Sequence, residues 1–257
     1  MRVTVCELSN DPDQLERDGD SLGRPVHTEK SECVLLPDMP GYPWPAHTRL
    51  VDPAVWAKSV ASHQLWLSRL TELAPAAVAG TIPVTIDRKP FNQGFVWQNG
   101  AGYRAVHLKY YLPDEDGFWE ASWYRRGPLD FTPVVLSGTI LGFLICTEMC
   151  FGEHARAYAR AGVHLLLTPR ATPHYSQEKW LAGGQTAATT SGAFSLSSNL
   201  GGTDRNGMQW GGGGWIIEPE ESKVLALTSP SRPYTTVEID PGLADYAKKL
   251  YPRYVRE

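Results

Sequence analysis

One stretch constrains this chain more than any other, residues 138–170, GTILGFLICTEMCFGEHARAYARAGVHLLLTPR. Its apolar, β-leaning run at 140–145 reads as a buried strand that ends on Cys146. After a polar break, Phe151, Ala155, Tyr158 and Ala159 recur at i, i+4, i+7 and i+8, the spacing of one helix face. Gly162 closes that helix as a C-cap glycine. A second apolar run, 163–167, reads as the next strand and is stopped by Thr168-Pro169. The order is strand, cysteine-bearing turn, helix, strand. It predicts an α/β fold, and a thiol at the C-terminal end of a buried strand lies where open α/β sheets carry their chemistry.

The remaining elements follow the same alternation. A first strand is expected over 3–8, and residues 9–31, with Asp11-Pro12, Gly19, Gly23 and Pro25, read as a loop with weak helical content. Residues 33–36 form a short buried strand stopped by Pro37, and the proline-rich 38–45 suits neither helix nor central strand. Asp52-Pro53 is an N-cap and N1 pair opening a helix to about residue 73, with Trp56, Val60, Leu67 and Leu70 on its apolar face. A strand over 78–86 is expected to break at Pro83, and 95–97, the turn Gln98-Asn99-Gly100, and 103–108 form a hairpin. Further on come a helix over 178–192, a strand over 193–199, a glycine-rich loop at 211–214, a hairpin of 215–217 with 223–227, a strand over 234–239 and a helix over 245–255. No repeat or linker divides the chain, which reads as one α/β domain over 1–257.

Composition narrows the function. The 257 residues are 42% hydrophobic and 20% charged, as a single globular domain requires, and the formal net charge of -4 offers no basic footprint for nucleic acid. Apolar runs fall far short of the roughly 20 residues of a membrane span. The N-terminus looks like a strand and lacks the features of a signal peptide. Four scattered cysteines, Cys6, Cys33, Cys146 and Cys150, fit reduced thiols, so a cytoplasmic location is expected.

Three strands end on groups with chemical potential. Cys146 reads either as a small buried hydrophobe or as a nucleophile facing the first turn of a helix, whose N–H groups could hold an oxyanion. Lys109 closes the run 103–108 and is either a solvated strand-end lysine or the cation that such a thiol needs. Asp38, directly after Pro37, is either a turn aspartate or a base. Each alone is a weak signal; a carboxylate, an amine and a thiol at three strand ends suggest one site.

At these residues the chain resembles the nitrilase superfamily of carbon–nitrogen hydrolases. The resemblance rests on Leu36-Pro37-Asp38-Met39-Pro40, on Lys109 through Pro113-Asp114, and on Cys146-Thr147-Glu148. It extends to Phe151-Gly152-Glu153-His154, the stretch 162–169, Ser198-Asn199 and the glycine-rich lead into Trp215, so it covers most of the chain in order. It implies a four-layer αββα sandwich in a single domain, and self-association as a homodimer or higher oligomer. It further implies that a carboxylate takes the thiol proton, that Cys146 attacks an amide or nitrile carbon, and that Lys109 and the Thr147 N–H stabilise the oxyanion. Glu120 matches the family's additional active-site glutamate, and Glu148 is expected to be structural, paired with Arg156. The family has glutamate where this chain has Asp38, one methylene shorter, a loss of reach of about 1.5 Å. A compensating backbone shift, a trapping substitution and drift from hydrolysis all remain open.

The implied substrate is a small amide or carbamoyl compound, with a nitrile or a merely bound ligand as alternatives. Tyr42, Trp44, Phe118, Trp119, Trp123 and Tyr124 flank the proposed strand ends and suggest an aromatic wall, unless they pack in the core. Arg170 could bind a substrate carboxylate, and His174 could face the same pocket. The seven histidines have no metal-ligand spacing, so no metal is expected. The 211–214 glycine run lacks the dinucleotide-binding pattern, so no cofactor is expected either.

Overall fold

The computed structural model describes residues 1–255. In chain order the elements are β1 (Arg2–Ser9), α1 (Pro12–Thr28), β2 (Cys33–Leu35), α2 (Pro53–Arg69), β3 (Ala77–Ile86), β4 (Lys89–Gln98) and β5 (Gly102–Leu108). They continue with α3 (Glu120–Trp123), β6 (Val134–Leu136), β7 (Thr139–Phe143), α4 (Gly152–Arg160), β8 (Leu165–Arg170), α5 (Gln177–Ser191) and β9 (Phe194–Gly201). The last are β10 (Trp215–Ile217), β11 (Val224–Leu227), β12 (Tyr234–Glu238) and α6 (Gly242–Ala247).

Strand alternation builds the layers, because successive side chains on a strand point to opposite faces. Val3 and Val5 of β1, Cys33 and Leu35 of β2, and Ala77 and Ala79 of β3 pack with Leu141 and Phe143 of β7 and Leu165 and Leu167 of β8. That is the layer between two sheets. On the outer face of the first sheet, Cys6, Val34 and Val78 meet Leu15, Leu22 and Val26 of α1. On the outer face of the second, Leu166 and Trp215 meet Tyr158 of α4 and Ala187 and Ala188 of α5. The result is the four-layer αββα sandwich.

One strand joins the halves. The strand order is β5-β4-β3-β2-β1-β9-β8-β7-β6, with β12 on β1 and β10 between β9 and β11. The first part of β1 pairs with β2 (Val3↔Cys33, Val5↔Leu35) and β12, and its last residues pair with β9 (Glu7↔Asn199, Ser9↔Gly201).

Four local expectations are corrected. Residues 9–31 carry a seventeen-residue helix, α1, capped by the Asp11 carboxylate on the Asp13 and Gln14 N–H groups, with Pro12 at its start and Pro25 in its last turns. Its few apolar positions are far apart in sequence, yet all three lie on the sheet. β3 runs unbroken through Pro83, which pairs with Asn92. β2 stops opposite Ala79, so at Pro83 the strand has a ladder on one side only, where proline is tolerated. β4 begins at Lys89 because Asp87 and Arg88 both take positive φ (49° and 62°), a two-residue hairpin turn without glycine. At the C-terminus only α6 is a helix, and the chain continues in turns to Tyr254.

Candidate active site

Four segments deliver the site. β7 ends at Phe143, three residues before the expected point, and Cys146 takes φ +50° at the head of a short 3₁₀ turn, Cys146–Cys150. A left-handed residue that is not glycine is strained, and here the strain sits on the thiol. The elbow is tight because α4 lies directly on β7. A Cβ on Gly142 would approach the Tyr158 ring to 2.8 Å, and the Tyr158 hydroxyl donates to the Phe143 carbonyl at 3.0 Å.

Asp38 lies just beyond β2, its N–H donating to the Arg170 carbonyl at 3.0 Å. Lys109 lies just beyond β5, its N–H donating to the Asn92 carbonyl at 2.9 Å. Glu120 opens α3. All are buried, Asp38 at 0% exposure, Lys109 and Glu120 at 1% and Cys146 at 4%. Lys109 Nζ donates to Glu120 at 2.7 and 2.9 Å and reaches Asp38 Oδ2 at 3.4 Å. The other Asp38 oxygen, Oδ1, accepts from Thr81 Oγ1 at 2.6 Å and Asn92 Nδ2 at 2.9 Å.

The electrostatics follow from one ammonium among two carboxylates and a thiol. Burial works against the Lys109 charge, but Glu120 and Asp38 outweigh it and hold the ammonium above its ordinary range. Burial pushes Glu120 up to about 7, Lys109 opposing the rise and Asp38 adding to it. Burial likewise pushes the Cys146 thiol up to about 12, with Lys109 pulling the other way. Such a raised value favours the neutral thiol at Cys146 over the thiolate.

Beneath the elbow, Glu148 is fully buried and does not pair with Arg156 as expected. Its carboxylate accepts from the Ile145 N–H at 2.8 Å and the Tyr110 N–H at 2.7 Å, and His107 Nε2 lies 2.8 Å away. Arg156 instead donates to the Val255 carbonyl. Glu148 thus binds the residue before the nucleophile and the residue after the lysine, tying two strand ends together.

A cavity of about 260 Å³ opens on the cluster, lined among others by Glu115, Phe118, Glu120, Cys146, Thr147 and Trp180. Of the residues expected to bind substrate, only Phe118 lines it. Trp44 is buried, donating to the Gly117 carbonyl at 3.2 Å and packing edge-on against Trp210. Trp123 donates to the Thr48 carbonyl at 2.6 Å, Tyr124 lies against Trp56, and Trp119 lies under Arg49. These aromatics form a fourth core cluster behind the site. Tyr42 lines a separate depression beside α1 with Leu15 and Trp66. Arg170 is 1% exposed and donates to Ser197 Oγ, Thr172 Oγ1 and the Gly213 carbonyl, with its guanidinium 4.0 Å over the Trp215 ring. Burial pushes it down to about 9, and its donors are engaged by the protein rather than free for a carboxylate. His174 lines a neighbouring cavity of about 540 Å³ that shares Tyr175 with the first. Sequence reasoning missed Thr172, Tyr175, Lys179 and Trp180 on the cavity wall, and Thr81 and Asn92 behind Asp38. Among the described residues no group of three or more His, Cys, Asp and Glu side chains could hold a metal ion. No helix there is long and apolar enough to cross a membrane.

The fold is a nitrilase-type αββα sandwich. A carbon-nitrogen hydrolase from Helicobacter pylori G27 matches with a TM-score of 0.86 at 18% identity, over 98% of this chain and 94% of that one. A mutant amidase from Nesterenkonia sp. AN1, bearing the acetamide moiety of fluoroacetamide on its active-site cysteine, matches with a TM-score of 0.81 at 19% identity, over 98% and 94%. The family model for carbon-nitrogen hydrolases matches residues 14–249, and the chain belongs to that family. Among curated proteins, a glutamine-dependent NAD(+) synthetase from Rhodobacter capsulatus is 23% identical over 220 residues, 84% of this chain. The chain spans 39% of that relative, and 24% of a second, a hydrolase in the pqqF 5' region of Pseudomonas protegens, 40% identical over 74 residues, 29% of this chain.

Proposed function

We propose that this protein is a cysteine-dependent amidase that cleaves a small amide or carbamoyl compound through a thioester acyl-enzyme. The observation that carries the reading is the convergence of Asp38, Lys109, Glu120 and Cys146 from four segments into one buried cluster, of which Glu120 and Cys146 line a cavity. As Cys146 Sγ bonds to the carbonyl carbon, its proton passes to Asp38 and the carbonyl π pair moves onto oxygen. Lys109 and the Thr147 N–H stabilise that oxyanion. The nitrogen leaves as ammonia or an amine after taking a proton. Water, activated by the same carboxylate, then hydrolyses the thioester. Glu120 holds Lys109 in place and faces the cavity where the amine departs. The acetamide adduct on the cysteine of the Nesterenkonia amidase supports the assignment of Cys146 as nucleophile.

Cavity size supports a small substrate. About 260 Å³ corresponds to on the order of nine water volumes at roughly 30 Å³ each. The test is ammonia release from a panel of small amides, carbamoyl compounds and nitriles, run with the native protein and Cys146→Ala. Turnover of an amide by the native protein alone is the expected outcome. Nitrile turnover without amide turnover would replace the amidase reading, and identical traces from both proteins would remove Cys146 from it.

A further inference from the structure

Aspartate at the position of the base is the feature that sets this site apart, and its surroundings account for it. Asp38 Oδ1 accepts two hydrogen bonds, from Thr81 Oγ1 and Asn92 Nδ2, which use both lone pairs of that oxygen. Among the described residues Oδ2 meets only the Lys109 ammonium, at 3.4 Å, and keeps acceptor capacity for a proton. We propose that Thr81 and Asn92 are positioning residues that turn Oδ2 toward the thiol, and that they fit this site to an aspartate rather than a glutamate base. The inference rests on the amidase reading above.

Each residue does two things at once. The Thr81 hydroxyl also accepts from the Met39 N–H at 2.8 Å, so it fixes the backbone directly after Asp38, where Met39 takes φ +46°. The Asn92 side chain holds Asp38 while its own carbonyl accepts the Lys109 N–H. One residue of β4 therefore sets the spacing between base and cation. Its amide orientation is fixed by chemistry, since the reverse would set a carbonyl oxygen against a carboxylate. That choice leaves Asn92 Oδ1 buried without a partner among the described residues, which is unfavourable and is tolerated for what Nδ2 does. Thr81 and Asn92 are each 1% exposed. An extra methylene at position 38 would drive the carboxylate about 1.5 Å into these donors or into Lys109.

The experiment compares Thr81→Val, Thr81→Ser, Asn92→Ala and Asp38→Glu with the native protein. It reads kcat and KM on whichever small amide is turned over, the alkylation rate of Cys146 by iodoacetamide, and the melting temperature. Thr81→Val and Asn92→Ala are expected to lower kcat and Cys146 alkylation by about tenfold or more with KM little changed, since a misplaced base loses roughly such factors. Thr81→Ser, which keeps the hydroxyl, restores both, and Asp38→Glu is slower than native. A purely structural role would lower the melting temperature of Thr81→Val without separating kcat from KM, and that result overturns the proposal. So does an Asp38→Glu variant as fast as native or faster. If no amide is turned over yet alkylation follows the expected order, the positioning stands and the amidase reading fails. If amides are turned over and the variants match native, the reverse holds.

Discussion

Cys6, Cys33 and Cys146 are all pushed up to about 12 by burial, so acidity does not single out Cys146. What distinguishes Cys146 is a cavity and the nearby Lys109 ammonium, Asp38 and Glu120. Iodoacetamide followed by peptide mapping is expected to label Cys146 rapidly and exposed Cys150 at an ordinary thiol rate, leaving Cys6 and Cys33 untouched in the native state. Lys109→Ala should slow the Cys146 reaction, because the ammonium opposes the rise that burial imposes on that thiol and so favours its thiolate, while labelling of Cys150 is unchanged. His63 makes a second residue-scale case. Its Nδ1 donates to the Ser59 carbonyl at 2.7 Å and its Nε2 accepts from the Gly41 N–H at 3.0 Å, so the neutral ring holds the turn after Asp38. Burial pushes it down to about 4 from the ordinary 6.5. A base whose folded value is depressed binds its proton first in the unfolded chain, so its contribution is present above pH 6.5 and is lost as pH falls toward 4. Urea unfolding at pH 7 and pH 4 should differ by about 3 kcal/mol from this group, and His63→Gln should flatten that dependence.

Elements explain why some of this was legible in the sequence and some was not. The stretch 138–170 announced β7, α4 and β8 because an unbroken apolar run, a helical stripe and a C-cap glycine are local signals. The strand ends carrying Asp38, Lys109 and Cys146 followed from the same signals, and the fold brings the three side chains near one another. α1 was legible only as weak helical content because Gly19, Gly23 and Pro25 argue against a helix, and tertiary burial of Leu15, Leu22 and Val26 outweighs them. Arg170, Trp44 and Trp123 were misjudged because sequence shows that a side chain stands near a strand end, not which face it takes. Thr81 and Asn92 left no motif, since a threonine in a strand has no local mark of holding a carboxylate from another element. α5 offers a test of such tertiary control. A Cβ at Gly184 would stand 2.6 Å from the Trp215 ring, which is itself held by Ser195 at 3.1 Å and by Arg170 above it. Alanine favours a helix over glycine by about 1 kcal/mol, whereas overpacking costs typically about 1–3 kcal/mol. Gly184→Ala should therefore lower the melting temperature, and a gain would show that Trp215 can shift.

Viewed whole, the molecule sets its reactive groups where both sheets end, and Glu148 spans the gap between them. Glu148→Ala would strand His107 and the N–H groups of Ile145 and Tyr110 without a buried acceptor, at a cost of about 1–3 kcal/mol for each buried donor left unsatisfied. Chemical denaturation should register that loss, and Glu148→Gln, which keeps an acceptor, should recover part of it. The sandwich also leaves Tyr251, Tyr254 and Val255 exposed together near the chain end. We propose that this segment takes part in the self-association implied by the resemblance, and light scattering should give a mass above that of one chain, reduced by Tyr251→Ser with Tyr254→Ser. The deepest consequence lies in β1, whose eight residues hydrogen-bond to β2, β12 and β9 and so belong to both sheets. Neither sheet can peel away while that strand is intact. Its buried amides should therefore exchange with deuterium only through global opening, and a chain pulled apart from its N-terminus should yield in a single rupture rather than sheet by sheet.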